Sequence, residues 1–157
     1  MVLLLHLNER KMSQEKLYTE VNQLLSDLHI YYQNTRGFHW NIKGKRFFEL
    51  HVKFEELYTE ALTNIDDIAE RLLAIGGQPL HTFQDYLNTS NIEALKGVSK
   101  DEETVSSIVD QLAKLVKQEE AVKAVAVEVE DSETEDMMIA LINTQQKHAW
   151  MFKSWLD

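Results

Sequence analysis

The hydrophobic residues of this chain fall into four long segments that repeat with helical spacing. The first segment has apolar residues at steps of four and three, at Leu17, Val21, Leu24, Leu28 and Tyr31. This spacing places them on one face of an amphipathic helix. Ser13 stands just before the segment and is a suitable N-cap residue, so the first helix is predicted to begin there.

The second segment predicts a longer helix with one continuous apolar face. Its apolar residues are Leu50, Phe54, Leu57, Ala61, Ile65, Ile68, Leu72 and Ile75. The helix should begin near Phe47 and end at Gly76-Gly77, because glycine favours the C-cap conformation and Pro79 cannot continue a helix. A short turn around residues 41–44 joins it to the first helix, so these two helices should be antiparallel neighbours.

Two more helices are predicted at capping-box sequences, in which a serine is followed three residues later by a glutamate. The third helix starts at Ser99-x-x-Glu102 and continues through Val105, Ile108, Leu112 and Val116 towards Val127. The fourth starts at Ser132-x-x-Glu135 and continues through Met138, Leu141, Ala149 and Phe152. The connection from the second helix to the third, residues 78–98, is long enough for a crossover, and residues 82–87 could form a short extra helix in it.

The predicted fold class is therefore all-α. We expect a four-helix bundle with a long crossover between its second and third helices, formed by residues 13–157, and an N-terminal arm formed by residues 1–12. One proline and five glycines provide too few breaks for an all-β domain. The apolar start of the arm is far shorter than the ~20 residues of a membrane span and follows no basic region. We expect it to pack against a neighbouring surface, and the protein to be cytoplasmic.

Composition restricts the chemistry that the protein can carry out. The chain has no cysteine, which excludes disulfides, thiolate zinc sites and cysteine nucleophiles. Any metal ion must therefore be bound by oxygen and imidazole nitrogen. The net charge of −10, from 26 acidic against 16 basic residues, repels phosphate backbones and attracts cations.

Two histidines and three acidic residues are the candidate metal ligands. His39 and His51 bracket the turn between the first two helices. His51 and Glu55 lie one helical turn apart, as do Asp66 and Glu70, so each pair shares a helix face. Carboxylates one turn apart can clamp a divalent cation between helices. Taken singly, such an acidic pair is more often a solvated face, and a histidine at a helix end is more often a cap.

Helix geometry separates the histidines from the second acidic pair. His51 and Asp66 are 15 residues apart, or roughly 22 Å along a continuous helix at ~1.5 Å per residue. They cannot bind the same ion within one chain. Either they belong to separate features, or a site forms between two chains packed antiparallel about a two-fold axis. No Glu-x-x-His sequence occurs, so a di-iron carboxylate site within one bundle is not expected.

Three stretches of this sequence carry distinctive motifs: Phe38-His39-Trp40-Asn41-Ile42-Lys43-Gly44, then Phe47-Phe48-x-Leu50-His51-x-x-Phe54-Glu55-x-Leu57-Tyr58, then Asp66-x-x-Ala69-Glu70-Arg71-x-x-x-Ile75-Gly76-Gly77-x-Pro79. Together they strongly resemble the Dps proteins, the dodecameric mini-ferritins. The resemblance extends from about residue 15 to the ending Lys147-His148-Ala149-Trp150-Met151 and includes the long crossover. It implies a ferritin-like bundle that assembles into a dodecamer.

The resemblance also implies a ferroxidase site at the two-fold dimer interface. One subunit would contribute His39, His51 and Glu55, and the other would contribute Asp66 and Glu70. The family often has aspartate where this chain has Glu55, but the longer side chain can still reach a metal ion. The implied reaction is oxidation of Fe(II), preferentially by hydrogen peroxide and otherwise by O2. Ferric iron would be stored in the hollow cage, which protects against oxidative damage, and zinc or another divalent metal could substitute for iron.

Other residues receive roles from the same resemblance. Trp40 could quench a radical formed at the site, or could equally be an aromatic packed at the dimer interface. Glu133 and Asp136 belong to an acidic cluster over residues 128–136, where the family has negatively lined three-fold pores. Acidic residues there also favour the N-terminus of the fourth helix. No metal-binding role is expected for the remaining histidines, which are His6, His29, His81 and His148.

Two other functions remain as alternatives to a ferroxidase cage. One is a DNA-compacting cage that binds iron incidentally, and the other is a catalytically silent helical scaffold. Many Dps relatives that bind DNA carry a tail rich in lysine and arginine. Residues 1–16 of this chain contain Arg10, Lys11 and Lys16 but also Glu9 and Glu15. We therefore expect no DNA binding.

Overall fold

The computed structural model describes the backbone of residues 2–157 and the side chains from Arg10 onward. The helices are α1 (Val2–Asn41), α2 (Phe47–Ala74), α3 (Phe83–Thr89), α4 (Asp101–Glu128) and α5 (Ser132–Leu156). No strand occurs in these residues, apart from an isolated bridge between Lys43 and Lys100. The predicted all-α bundle with a long crossover and a short extra helix is confirmed. Among the residues that the structure describes, no helix qualifies as a candidate membrane span.

The four long helices alternate in direction between neighbours. Short turns make α1 antiparallel to α2 and α4 antiparallel to α5. α1 also runs antiparallel to α4, because Lys16 pairs with Glu128 while Asn34 bonds to Gln111. At the other seam, Arg71 near the end of α2 contacts the start of α5. The crossover therefore returns the chain along the bundle, so that α2 and α4 run parallel.

The core contains most of the apolar positions that the sequence pattern predicts. All five predicted positions on α1 are buried, and on α2 every position from Leu50 to Leu72 in the predicted face is buried. The pattern on α4 is right as far as Leu112 but wrong at Val127, which is 54% exposed. The buried positions of α4 keep regular steps of three and four, at Val105, Ile108, Leu112, Leu115, Glu119, Val122 and Ala126. Val127 follows Ala126 by one residue, about 100° around the helix, and therefore faces away from the core.

The predicted glycine cap of α2 is confirmed. Gly76 has a φ of 91°, in the left-handed region that a side chain disfavours. Its N–H donates to the carbonyl of Leu73 at 3.0 Å, and the N–H of Gly77 donates to the carbonyl of Leu72 at 2.9 Å. This is the Schellman arrangement, which satisfies the last carbonyls of the helix.

The three predicted serine caps are wrong, because tertiary contacts use those serines or their neighbours differently. Ser13 lies inside α1 and donates its hydroxyl to Glu128 at 2.9 Å. The Ser99 carbonyl accepts the N–H of Lys43, and α4 begins two residues later. Ser132 is the first residue of α5, and Asp131 is the cap, accepting the N–H of Thr134 at 3.1 Å.

The backbone of the predicted N-terminal arm continues α1 without a break from Val2. Residue 12 is therefore not a helix boundary. The side chains of residues 1–9, including His6, lie outside the described residues, and so does their predicted packing against a neighbouring surface. The division into an arm and a domain at residues 1–12 and 13–157 stays a prediction.

Polar side chains along one edge of α1 hold the crossover against the bundle. They bind backbone groups of residues 78–95 and are Asn22, Gln23, Asp27 and Asn34. The short helix α3 is capped by Thr82, whose hydroxyl accepts the N–H of Asp85 at 3.1 Å. Since buried backbone groups need partners, these side chains let a long irregular segment lie flat on α1.

Glu119 is a fully buried acid at the centre of the bundle, and the sequence pattern did not predict it. Its side chain is 0% exposed, and neither carboxylate oxygen has a hydrogen-bond partner. The hydroxyl of Tyr31 is also buried and unpartnered. Burial raises the pKa of Glu119 to about 8. The side-chain amide of Gln145 beside it lowers the pKa by a smaller amount, without forming a well-shaped hydrogen bond.

We predict that Glu119→Gln stabilises the protein at alkaline pH and changes little at pH 5. The folded-state pKa is about 8, above the ordinary value of 4.5. The contribution of protonated Glu119 is therefore fully present below pH 4.5 and is lost as pH rises through 8. At pH 9 the variant should unfold about 5 °C higher than the parent, measured by thermal melts followed by circular dichroism.

Glu120→Gln is the matched control, because Glu120 is exposed and pairs with Lys123. Its stability should still fall as pH rises through 8, by slightly less than in the parent, because the Glu120 charge is the smallest cause of the raised pKa of Glu119. Parallel profiles for Glu119→Gln and the parent would contradict the prediction.

Glu130 ends α4 in a conformation that normally takes glycine. Its φ is 61°, its N–H donates to the Val127 carbonyl, and the N–H of Asp131 donates to the Ala126 carbonyl. This repeats the arrangement at Gly76, but with a side chain present. Left-handed backbone costs a residue with a Cβ atom roughly 1–2 kcal/mol.

We predict that Glu130→Gly raises the free energy of unfolding by about 1 kcal/mol, because it relieves this strain. Urea denaturation at neutral pH measures the change. Glu133→Gly is the control: it removes an acid nearby but lies within α5, so it should destabilise by about 1 kcal/mol. Equal losses in both variants would count against strain at Glu130.

Candidate metal centre

His39 and His51 hold each other in place across the turn between α1 and α2. Nδ1 of His39 lies 2.7 Å from the carbonyl oxygen of His51, and Nδ1 of His51 lies 2.8 Å from the carbonyl oxygen of His39. A carbonyl can only accept, so both Nδ1 atoms carry a proton. In the neutral imidazoles, each Nε2 then keeps a lone pair that can bind a metal ion.

Aromatic rings enclose this pair of imidazoles. The rings of His39 and His51 stack with centroids 3.7 Å apart. The ring of Phe47 lies 5.0 Å from that of His51, and the edge of Tyr58 meets His39 at 5.3 Å. Sequence reasoning gave Phe47 and Tyr58 no role. The signal that could have found them is their helical spacing from His51 and Glu55 on α2.

Glu55 joins the two histidines in one cluster. One ligand atom from each of His39, His51 and Glu55 can be chosen so that all three lie within 4.8 Å of one another. Among the described residues, no other group of three such side chains meets this criterion. Two imidazole nitrogens and a carboxylate suit divalent transition metals such as Fe²⁺ and Zn²⁺. The free Nε2 lone pairs and the exposed carboxylate therefore fit a metal ion.

Asp66 and Glu70 lie towards the other end of α2 and are exposed. α2 is continuous from Phe47 to Ala74, so Asp66 is roughly 22 Å along the axis from His51. Asp66 lines a cleft between α2 and the crossover, together with Pro79 and His81. The structure thus brings together His39, His51 and Glu55, and it does not bring Asp66 and Glu70 to them within one chain.

The remaining predicted residues are at the surface. Trp40 is 59% exposed, with the guanidinium carbon of Arg36 lying 4.8 Å from its ring centroid. Glu133 and Asp136 are exposed in the first turns of α5. Within the same acidic cluster, Asp131 is bound by Arg71 at 2.5 Å. Asp131 is therefore held in an ion pair that links α2 to the start of α5.

Three of the other histidines lie outside the cluster. His148 approaches Glu60 at 3.1 Å and links α5 to α2. His29 stacks on Tyr86 at 3.8 Å, and burial lowers the pKa of His29 to about 4. His81 contacts the carbonyl of Pro79 at 3.0 Å.

Comparison with known proteins identifies the family. Residues 18–157 match the ferritin-like domain family. The chain is 39% identical over 142 residues to General stress protein 20U of Bacillus subtilis, which covers 90% of this chain and 98% of that protein. It is 39% identical over 137 residues to a DNA protection during starvation protein of Brevibacillus brevis, covering 87% of this chain and 92% of the relative.

Solved structures agree with the sequence relatives. The Dps protein of Vibrio cholerae O1, described as a member of a broad superfamily of ferritin-like diiron-carboxylate proteins, superposes with a TM-score of 0.91 at 38% identity and covers 93% of this chain and 92% of its own. A Dps protein of Bacillus brevis gives a TM-score of 0.90 at 38% identity, with coverages of 93% and 98%. These likenesses support an iron-binding role of the mini-ferritin kind. By sequence and by fold, the chain belongs to the Dps family of ferritin-like proteins.

Proposed function

We propose that this protein is a mini-ferritin that oxidises Fe(II) at sites shared between two subunits and stores the ferric product in a hollow cage. The observation that carries the proposal is the exposed face of α2. This face combines apolar side chains with the candidate ligands at positions that match when two copies of the helix pair. The half-site of His39, His51 and Glu55 supplies the metal-binding chemistry.

The exposed face of α2 carries large apolar side chains at both ends and near its middle, with polar residues between them. Phe48 is 83% exposed, Val52 50%, Leu62 52% and Leu73 55%. At 3.6 residues per turn, these four positions and both Glu55 and Asp66 fall within about 80° around the helix axis. The core face of α2 lies on the opposite side. An apolar stripe of this kind on a helix that already packs in a bundle indicates a protein interface.

A single antiparallel register of two α2 helices accounts for both the apolar and the ligand positions. If the two-fold axis passes between Thr59 and Leu62, Phe48 lies opposite the partner's Leu73. Glu55 then lies opposite the partner's Asp66, and His51 lies opposite the partner's Glu70. The apolar pairing and the ligand pairing did not have to agree in register, and their agreement supports an intersubunit site. The two-fold axis generates two such sites in each dimer.

The proposed site would bind Fe(II) as substrate through His39, His51 and Glu55 of one subunit and through Asp66 and Glu70 of its partner. The carboxylates favour the ferric product, since hard oxygen ligands stabilise the higher charge. With hydrogen peroxide as oxidant, two Fe(II) ions lose one electron each and the peroxide becomes two hydroxide ions. Both reactants that generate hydroxyl radicals are thereby consumed. O2 is the alternative oxidant, and zinc or another divalent metal would compete for the ligands.

Assembly and entry into the cage complete the proposal. We expect a dodecameric, cytoplasmic cage in which Glu133 and Asp136 line entry pores for cations. Both residues are exposed near the start of α5, and the net charge of −10 per chain attracts cations. Trp40, adjacent to His39, is the proposed radical sink.

A complementation experiment tests whether the site is shared between subunits. We predict that His39→Ala and Asp66→Ala each lower the rate of Fe(II) oxidation by at least about 100-fold. Removing a residue that only supports a metal ligand costs up to about 100-fold, and these variants remove a ligand itself. Co-expressed together, the two variants should recover about a quarter of the parent rate. Half of randomly paired dimers are mixed, and one of the two sites in each mixed dimer is intact. The rise in ferric absorbance after addition of peroxide measures the rate.

Co-expression of His39→Ala with His51→Ala is the matched control. Both variants damage the same half-site, so no pairing restores an intact site. Recovery in the control, or no recovery in the His39→Ala and Asp66→Ala mixture, would refute the shared site. Unchanged rates in the single variants would favour a catalytically silent scaffold.

We predict that the assembled protein does not retard plasmid DNA in a gel-shift assay at low salt. Subunits of charge −10 repel phosphate, and low salt exposes any residual attraction. Clear retardation would favour a DNA-compacting cage. The control adds Mg²⁺, which separates binding bridged by cations from direct binding.

A further inference from the structure

We propose that Phe47 and Tyr58 are positioning residues of the metal centre. They hold the two imidazoles in the orientation in which His39, His51 and Glu55 converge. The inference rests on the proposed function, since the rings acquire this role only if the imidazoles bind a metal ion. Neither Phe47 nor Tyr58 is itself a metal ligand.

Hydrogen bonding alone leaves the imidazoles incompletely fixed. Each ring makes one backbone contact, from Nδ1 of His39 or His51 to the carbonyl oxygen of the other residue. One such bond places Nδ1 but allows the ring to rotate about the contact. The terminal torsion of histidine has broad energy wells, so torsional preference does not prevent that rotation. Something else must define the direction of each Nε2.

Ring packing supplies the missing constraint. The ring of His51 lies between the rings of Phe47 and His39, at centroid distances of 5.0 and 3.7 Å and interplanar angles of 23° and 21°. The ring of His39 also meets the edge of Tyr58, at an interplanar angle of 78°. Rotation of either imidazole would break a contact with each of its ring neighbours. The four rings thus form a column in the order Phe47, His51, His39 and Tyr58, and the two imidazoles are enclosed from both of its ends.

The positions of the two aromatic rings follow from residue spacing on α2, and a residue of α1 packs against the outer end of the column. Phe47, His51, Glu55 and Tyr58 follow each other on α2 at steps of four, four and three, which keeps them on adjoining parts of one face. Behind Tyr58 lies Tyr32 of α1, whose ring centroid is 6.0 Å away. The Tyr32 hydroxyl accepts a hydrogen bond from Arg36 at 2.7 Å.

Cobalt binding tests the inference. Co²⁺ binds the same kinds of ligand as Fe²⁺, and its visible absorption spectrum depends on the geometry of those ligands. Phe47→Leu and Tyr58→Leu should each weaken Co²⁺ binding by about tenfold, the lower end of the loss seen when support of a metal ligand is removed. Their Co²⁺ spectra should shift from that of the parent. Phe47→Tyr and Tyr58→Phe keep the rings and should restore both the affinity and the spectrum.

Phe54→Leu is the matched control. Phe54 is a buried ring on the same helix that packs against Phe38 and Phe152 rather than against the imidazoles. The variant should melt at a lower temperature and keep the parent's Co²⁺ spectrum. If one of the two leucine variants does not fold, the other decides, because each ring closes a different end of the column.

His39→Ala separates the two possible failures. If His39→Ala binds Co²⁺ as the parent does, the proposed metal centre itself is wrong. If His39→Ala loses Co²⁺ while both leucine variants keep the parent affinity and spectrum, the positioning role is overturned and the proposed function stands.

Discussion

Helix α2 carries apolar side chains on two opposite faces, and most features of this protein follow from that arrangement. One face, including Phe54 and Ile68, is buried in the bundle and fixes how α2 packs against its neighbours. The other face, which contains Phe48 and Leu62, remains open. Burying such a stripe is favourable at about 25 cal/mol per Å² of apolar surface, and a single chain cannot bury it. A second copy of α2 would cover it.

The candidate metal centre belongs to this second face, which is why its proposed chemistry is inseparable from assembly. Within each chain the fold already positions one half of the proposed ligand set. This half consists of two imidazoles with free Nε2 atoms, beside Glu55. Asp66 and Glu70 stay solvated at the far end of the helix. Under the proposed register, pairing of subunits would complete two sites at once. A chain that had not assembled would then hold only half of each ligand set.

Stability and function make different demands on the polar residues of the bundle. The amides of Asn22 and Asn34 donate to carbonyl groups of the crossover and are an ordinary solution to a long irregular connection. Glu119 and Glu130 instead lower the stability of the fold. Glu119 is a buried acid without a hydrogen-bond partner, and Glu130 has left-handed backbone that disfavours a side chain. No ligand contact described for the metal centre involves either residue. Natural proteins commonly retain such costs while stability remains sufficient.

The sequence by itself determined the helices and the crossover, because apolar periodicity is a local property of a helix. Helical spacing also pairs His51 with Glu55 and Asp66 with Glu70, and the family resemblance proposes these residues, with His39, as one intersubunit ligand set. It also showed that His51 and Asp66 cannot meet within one chain. Only the tertiary structure decided the caps, where Ser13, Ser99 and Ser132 failed because distant partners or an adjacent aspartate changed their roles. The same is true of the protonated Nδ1 atoms and the buried Glu119, since both depend on groups that the fold, and not the local sequence, brings together.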